Sequence, residues 1–270
     1  MTAEVSPALA GDAGSGQPGL FDLTGRVAVV TGARRGIGLA IADALAAAGA
    51  DIVAVSAHLE PDGGEAARRV RARGRTCSAL RADLADRSAV AGLAARLAAW
   101  PQPVDILVNN AGTIARAPAV QHSDADWDRV LQIDLTSQFI LARELGRAML
   151  ARGHGKIVFL ASVLSFQGGI NVPGYTAAKS GIAGLTRALA NEWAGGGVNV
   201  NAIVPGYVMT DNTTALREDP ARNTAILERI PAGRWADPAD FAGVAVFLAS
   251  RASDYVHGAL IPVDGGWLGR

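Results

Sequence analysis

Val27-Ala28-Val29-Val30-Thr31-Gly32-Ala33-Arg34-Arg35-Gly36-Ile37-Gly38 is the stretch on which the fold turns. Its first five residues form a short apolar run ending in glycine, the pattern of a parallel strand buried on both faces. Ile37 to Ala48 then reads as an alanine-rich helix stopped by Gly49. Three glycines between a strand and a helix permit a tight turn and a close backbone approach. They also aim a helix N-terminus at an anion. The spacing is Gly-x-x-x-Gly-x-Gly, not Gly-x-Gly-x-x-Gly. On this motif alone, a pyrophosphate cradle and a plain glycine-rich helix start both remain open.

Outward from this stretch, strands and helices alternate. Strands are expected at 52–56, 76–80, 105–108, 156–161, 198–204 and 260–263. Helices are expected at 65–73, 87–100, 123–149, 175–194 and 238–248. Ser123 is the expected cap of the long helix, with an acid three residues on. Such alternation implies an α/β fold, a single Rossmann-like doubly wound domain. Its seven-stranded parallel sheet would carry helices on both faces. Residues 1–20 read as a flexible tail and 21–270 as the domain. Residues 207–237 break the rhythm at the carboxyl end of a strand, where an irregular insertion usually forms a lid or binding loop.

Composition narrows the function. Half of the 270 residues are hydrophobic, formal net charge is zero and the pI is about 6.9. A nucleic-acid partner, which calls for a strongly basic face, is not expected. The single Cys77 forbids an intramolecular disulfide. His58, His122, His154 and His257 are scattered, so no metal site is expected. No apolar run reaches membrane-spanning length, and residues 1–20 contain no basic residue of the kind a targeting peptide carries. The expected compartment is the cytoplasm.

Tyr175 and Lys179, thirteen and seventeen residues after Ser162, are four apart on the expected helix and therefore share a face. A free phenol has a pKa of about 10 and is a poor base at neutral pH. A neighbouring ammonium favours the phenolate, and a phenol lowered in this way exchanges protons with an alcohol or ketone oxygen. Asn109-Asn110-Ala111-Gly112 also falls at a strand's carboxyl end, and Asp83-Leu84 could face an adenine.

Thr31 to Gly38, Asn109 to Gly112, Ser162, Tyr175, Lys179 and Pro205-Gly206 together resemble the short-chain dehydrogenase/reductase family, from Leu20 onward. The resemblance implies a nicotinamide dinucleotide and hydride transfer at a carbinol or carbonyl carbon. Ser162 would hold the substrate oxygen, Tyr175 would be the acid/base, and Lys179 would bind the ribose and tune Tyr175. Gly32, Arg34, Arg35, Gly36, Ile37, Gly38, Ser56, Asp83, Leu84, Asn110, Ala111 and Gly112 would bind the cofactor. Pro205, Gly206, Val208 and Thr210 would frame its carboxamide and a nearby phosphate. One position departs: Asp134 stands where the family usually has an Asn that anchors a proton-relay water. An Asp keeps the acceptor, loses the amide donor and can add a charge near Lys179.

Within the family, Ser162 to Gly169, Asn191 to Ala194, Ile230 to Trp235 and Val263 to Leu268 resemble sugar-acid dehydrogenases acting on 2-dehydro-3-deoxy-D-gluconate or 2-deoxy-D-gluconate. The implied substrate is a keto-deoxy sugar acid. Phe166-Gln167-Gly168-Gly169 is expected to line its pocket. Arg116 is the first candidate for the carboxylate and Arg234 the second, with Gln167 and Asn212 on hydroxyls. NAD is the cofactor the subgroup implies. No acid ends the second strand, and Arg34 and Arg35 would suit the 2′-phosphate of NADP. A broad carbonyl or 3-oxoacyl reductase and a non-catalytic homologue are the alternatives. The family further implies a homotetramer built through the helix of Tyr175.

Overall fold

In the computed structural model β1 (Val27–Thr31) is buried at every position. The residues described are 19–270, so all but the last two residues of the expected tail, 1–20, lie outside them. Successive β1 side chains point to opposite faces. Val27 and Val29 enter one core, and Ala28 and Val30 enter the other. The first core is closed by α3 (Arg87–Ala98), α5 (Ser137–Arg152) and α6 (Pro173–Trp193). The second is closed by α1 (Gly36–Ala47), α2 (Gly64–Ala72) and α9 (Ala242–Ala249). A strand covered on both sides is largely apolar, which is why β1 reads as a continuous run.

The remaining strands are β2 (Asp51–Ser56), β3 (Cys77–Arg81), β4 (Ile106–Asn109), β5 (Gly155–Leu160), β6 (Val198–Pro205) and β7 (Leu260–Val263). All pairings are parallel, in the order β3-β2-β1-β4-β5-β6-β7. The order reverses between β1 and β4. A doubly wound sheet opens its ligand crevice there, beyond the carboxyl ends of the strands. Thr31 stitches the two strand ends together. Its Oγ1 accepts from the N–H groups of Asn110 and Ala111, each at 3.0 Å.

Three expectations need correcting. The helix expected over 123–149 is two helices, α4 (Asp124–Leu131) and α5, separated by a π-helical turn at Gln132–Thr136. Ser123 does cap α4, accepting from Asp126 N at 3.1 Å. The 207–237 insertion is more ordered than expected. It carries α7 (Thr214–Glu218) and α8 (Pro220–Leu227), the second capped by Asp219. Pro238–Phe241 is a 3₁₀ turn ahead of α9 rather than its first turn. Among the described residues no helix is long and apolar enough to cross a membrane.

Candidate active site

The glycine turn after β1 is built for close approach. Gly32 and Gly36 have φ of 68° and 56°, the left-handed region that costs glycine nothing. A Cβ on Gly32 would lie 2.7 Å from Asn110 Nδ2, and one on Gly38 would collide with the Gly32 carbonyl. The backbone of α1 therefore begins tight against the β4 loop. Arg35, at the N-cap of α1, makes no side-chain cap. The first-turn N–H groups thus lack a side-chain acceptor, which an anion such as a pyrophosphate would supply.

Lys179 and Asp134 are the buried charges beside this turn. Lys179 is 3% exposed, and its Nζ donates to the Leu160 carbonyl at 2.8 Å. Asp134, fully buried in the π-helical turn, has Oδ2 at 3.3 Å from the same Nζ. Its Oδ1 accepts from Thr113 N at 2.8 Å. Burial pushes the Asp134 carboxyl above the usual carboxylate range, against the pull of Lys179. Lys179 Nζ lies 5.5 Å from the centre of the Tyr175 ring. Burial also raises the Tyr175 phenol. Lys179 lowers it, Asp134 raises it further, and Ser162 and Arg116 lower it. The expected lowering of Tyr175 is therefore outweighed in the protein alone. The positive charge of an oxidised nicotinamide bound in the cleft would add to the lowering.

Ser162 is tied to the Tyr175 helix through its own turn. Its Oγ accepts from Leu164 N at 3.2 Å, and its N–H donates to Ser165 Oγ at 3.3 Å. Ser165 Oγ in turn donates to the Lys179 carbonyl at 2.7 Å. This links the loop after β5 to α6 and fixes Ser162 relative to Tyr175.

One cleft of about 1130 Å³ joins these parts. All the cofactor residues expected from the sequence line it, and so do Ser162, Tyr175, Lys179, Asp134, Gln167, Arg116 and Asn212. Phe166 does not; the residue is 49% exposed and lies outside the cleft lining. Arg234 is a correction too. Both arms of its guanidinium bind Asp240, at 2.7 and 2.9 Å, away from the cleft. The sequence reading missed Tyr207, Arg222, Arg229 and Trp267, which wall the far end. The only signal for the arginines was their place within the expected substrate loop.

The acceptor-free N-terminus of α1 and the tight glycines fit a nicotinamide dinucleotide. β2 ends at Ser56 without an acid to repel a 2′-phosphate. Arg34 pairs with Glu60 at 3.2 Å, and Arg35 pairs with Asp211. Among the described residues no group of His, Cys, Asp and Glu is arranged to hold a metal.

A family model described as Enoyl-(Acyl carrier protein) reductase matches residues 32–268. A 2-dehydro-3-deoxy-D-gluconate 5-dehydrogenase of Pseudoalteromonas atlantica is 58% identical over 250 residues, 93% of this chain and 98% of that protein. A solved structure from Beutenbergia cavernae, provisionally described as an NAD(P)-dependent gluconate 5-dehydrogenase with NADP bound at low occupancy, is 55% identical. It superposes with a TM-score of 0.90 over 93% of this chain and all of its own. A structure from Agrobacterium tumefaciens, provisionally described as a 2-deoxy-D-gluconate 3-dehydrogenase with bound NADP, is 52% identical. Its TM-score is 0.86 over 93% of this chain and 99% of its own.

Proposed function

The chain belongs to the short-chain dehydrogenase/reductase family, and on that footing we propose that it interconverts a secondary alcohol and a ketone of a sugar acid of the 2-dehydro-3-deoxy-D-gluconate type. The observation that carries this reading is the meeting of Ser162, Tyr175 and Lys179 with the glycine turn in one cleft. The names of the relatives that match nearly end to end support the substrate class.

The chemistry follows from the residues. A bound nicotinamide dinucleotide supplies the hydride acceptor or donor. Ser162 holds the substrate oxygen by a hydrogen bond. Tyr175 takes the proton of that oxygen in oxidation and returns it in reduction. Lys179 would bind the ribose, and it favours the phenolate. The first turn of α1 would hold the pyrophosphate, and Pro205, Gly206, Val208 and Thr210 would frame the carboxamide. Ser56, Asp83 and Leu84 would receive the adenosine half. Arg116, Gln167 and Asn212 contact the substrate.

NAD is the working cofactor in this reading. The acids on Arg34 and Arg35 answer much of the charge that a 2′-phosphate would seek. Both pairs are exposed, and such pairs are worth at most about 1 kcal/mol. NADP therefore remains a competent alternative. The same family footing leads us to infer a homotetramer packed through α6 and a cytoplasmic enzyme.

A substrate panel, followed by the absorbance of the reduced nicotinamide, tests the reading. Turnover of keto-deoxy sugar acids above neutral ketones and acyl thioesters is expected. Activity confined to the latter two would replace it with a general carbonyl or 3-oxoacyl reductase.

A further inference from the structure

The C-terminal turn reaches back under the substrate end of the cleft. Asp264 shapes it, its carboxylate accepting from Gly266 N and Leu268 N, each at 2.9 Å. Gly265 and Gly266 both have positive φ, at 65° and 90°. A Cβ on either would crowd Ile230 or Pro231 at 2.9 Å. Only glycines let this turn pack so closely against the segment that follows α8. Ala232 N and the Arg270 guanidinium bind the turn and that segment together, at 3.0 Å to the Gly265 carbonyl and 2.8 Å to the Glu228 carbonyl. The result is a buried Trp267, 4% exposed, braced by the Tyr207 ring with centroids 4.7 Å apart.

Arg229 lies on that platform. Its guanidinium carbon is 4.0 Å from the centre of the Trp267 ring. One arm donates to Gln167 Oε1 at 3.3 Å. The other cleft arginines are engaged differently. Arg34 and Arg35 face carboxylates, and Arg116 gives an arm to the Asn212 carbonyl at 2.9 Å. Among the described residues Arg222 has neither an acid nor a stacking ring. Among the described residues of the cleft, Arg116 and Arg229 are both held by neutral groups, and of the two only Arg229 also lies over an aromatic ring. Its charge is unanswered, while its orientation is fixed.

We infer that Arg229 is the receptor for the substrate's carboxylate, with Trp267 and Gln167 as the residues that position it. The inference rests on the sugar-acid reading above and deepens it. Stacking on an indole leaves the in-plane donors of a guanidinium free, and those donors match a carboxylate two-to-two. A fork already held in place loses less freedom on binding. The location also suits the chemistry. A sugar acid oxidised several bonds from its carboxylate needs a cation set apart from the reacting oxygen. The charge of Arg116 is felt at Tyr175, whereas that of Arg229 is felt at Tyr207. Gln167 follows Ser162 by five residues in one loop, so the same segment spans both ends.

Steady-state kinetics of Arg229→Ala and Arg229→Lys on 2-dehydro-3-deoxy-D-gluconate and on its primary amide test this. The amide keeps the shape and removes the charge. Arg229 is exposed, so its replacement leaves the core intact. Arg229→Ala is expected to raise KM for the acid at least tenfold and to erase the preference for acid over amide. Arg229→Lys is expected to recover part of both, since an ammonium keeps the charge but not the fork. An acid KM in Arg229→Ala within twofold of wild type overturns the inference, as does an unchanged acid-to-amide preference. Failure of the wild-type protein to turn over the acid at all overturns the underlying reading, and this inference with it.

Discussion

Asp134 Oδ2 lies 3.3 Å from Lys179 Nζ, and neither residue is more than 3% exposed. The catalytic ammonium thus has a carboxylate beside it where the family pattern would put an amide. The consequence is electrostatic. A lone Lys179 would favour the Tyr175 phenolate. Asp134 opposes that effect when ionised. The two are one unit, and the charge that Tyr175 senses is their sum.

Asp134→Asn should therefore shift the pH–rate profile of alcohol oxidation toward acid. The sign follows from the charge. Asp134 raises the phenol, Asn carries no charge, so the phenol titrates at lower pH and the active phenolate forms earlier. Profiles of kcat for the two proteins decide it, and superimposable curves would remove Asp134 from the proton economy of the site.

Removing only one member of the pair should cost stability. Lys179→Met leaves a buried carboxylate without its cation, a change worth about 3–5 kcal/mol. Adding Asp134→Asn neutralises that carboxylate and keeps an acceptor for Thr113 N. The double variant should therefore recover most of the loss. Denaturant unfolding of the four proteins measures the coupling. Strict additivity would mean that the two side chains do not sense each other.

The strands were legible because β1, covered on both faces, is apolar from Val27 to Val30, and its one polar residue, Thr31, sits at the carboxyl end where its hydroxyl is hydrogen-bonded. β1 and β7 fall at the residues expected, and the other strands lie within a residue or so. The glycine turn and the Tyr175–Lys179 pair were legible because each is local and fixed by spacing. The π-helical turn at Gln132–Thr136 carries no periodic signal, so the helix on either side read as one. α8 was hidden by short, polar composition. The stacking of Arg229 on Trp267 depends on two loops meeting in space, and no local pattern announces it. Nor could spacing reveal that burial raises Tyr175 more than Lys179 lowers it.

Tyr175→Phe should cut kcat by about 10²–10⁴, the usual contribution of a positioned acid/base, since the ring remains and only the proton carrier is lost. Dinucleotide affinity, read by fluorescence titration of the reduced cofactor, should change little. Turnover near the wild-type level would remove Tyr175 from the proposed mechanism.

Gly38→Ala should impair folding or cofactor binding, because its Cβ meets the rigid Gly32 carbonyl and the Asn110 amide. Gly92→Ala is the control. Gly92 is exposed within α3 with open space around it, so alanine there should stabilise by about 0.4–1 kcal/mol. Opposite signs in thermal unfolding are the expected result. Equal behaviour would mean that the turn relaxes around the new methyl.

Arg116→Ala should move the pH–rate profile in the direction opposite to Asp134→Asn. Arg116 favours the Tyr175 phenolate from across the cleft. Its loss leaves the phenol higher, so oxidation should need more alkaline solution. Its guanidinium is exposed and bound to the Asn212 carbonyl, so the shift should be smaller than that from the buried Asp134. The substitution also frees Asn212, on the segment after β6, from its hold on the loop after β4, and a rise in KM should accompany the shift. The comparison with Arg229→Ala separates the two ends of the cleft. Arg229→Ala should change KM and acid preference with the pH midpoint unmoved, and Arg116→Ala should move the midpoint. A midpoint that moves in neither variant would confine both arginines to substrate binding, leaving Lys179 and Asp134 as the charges that set Tyr175.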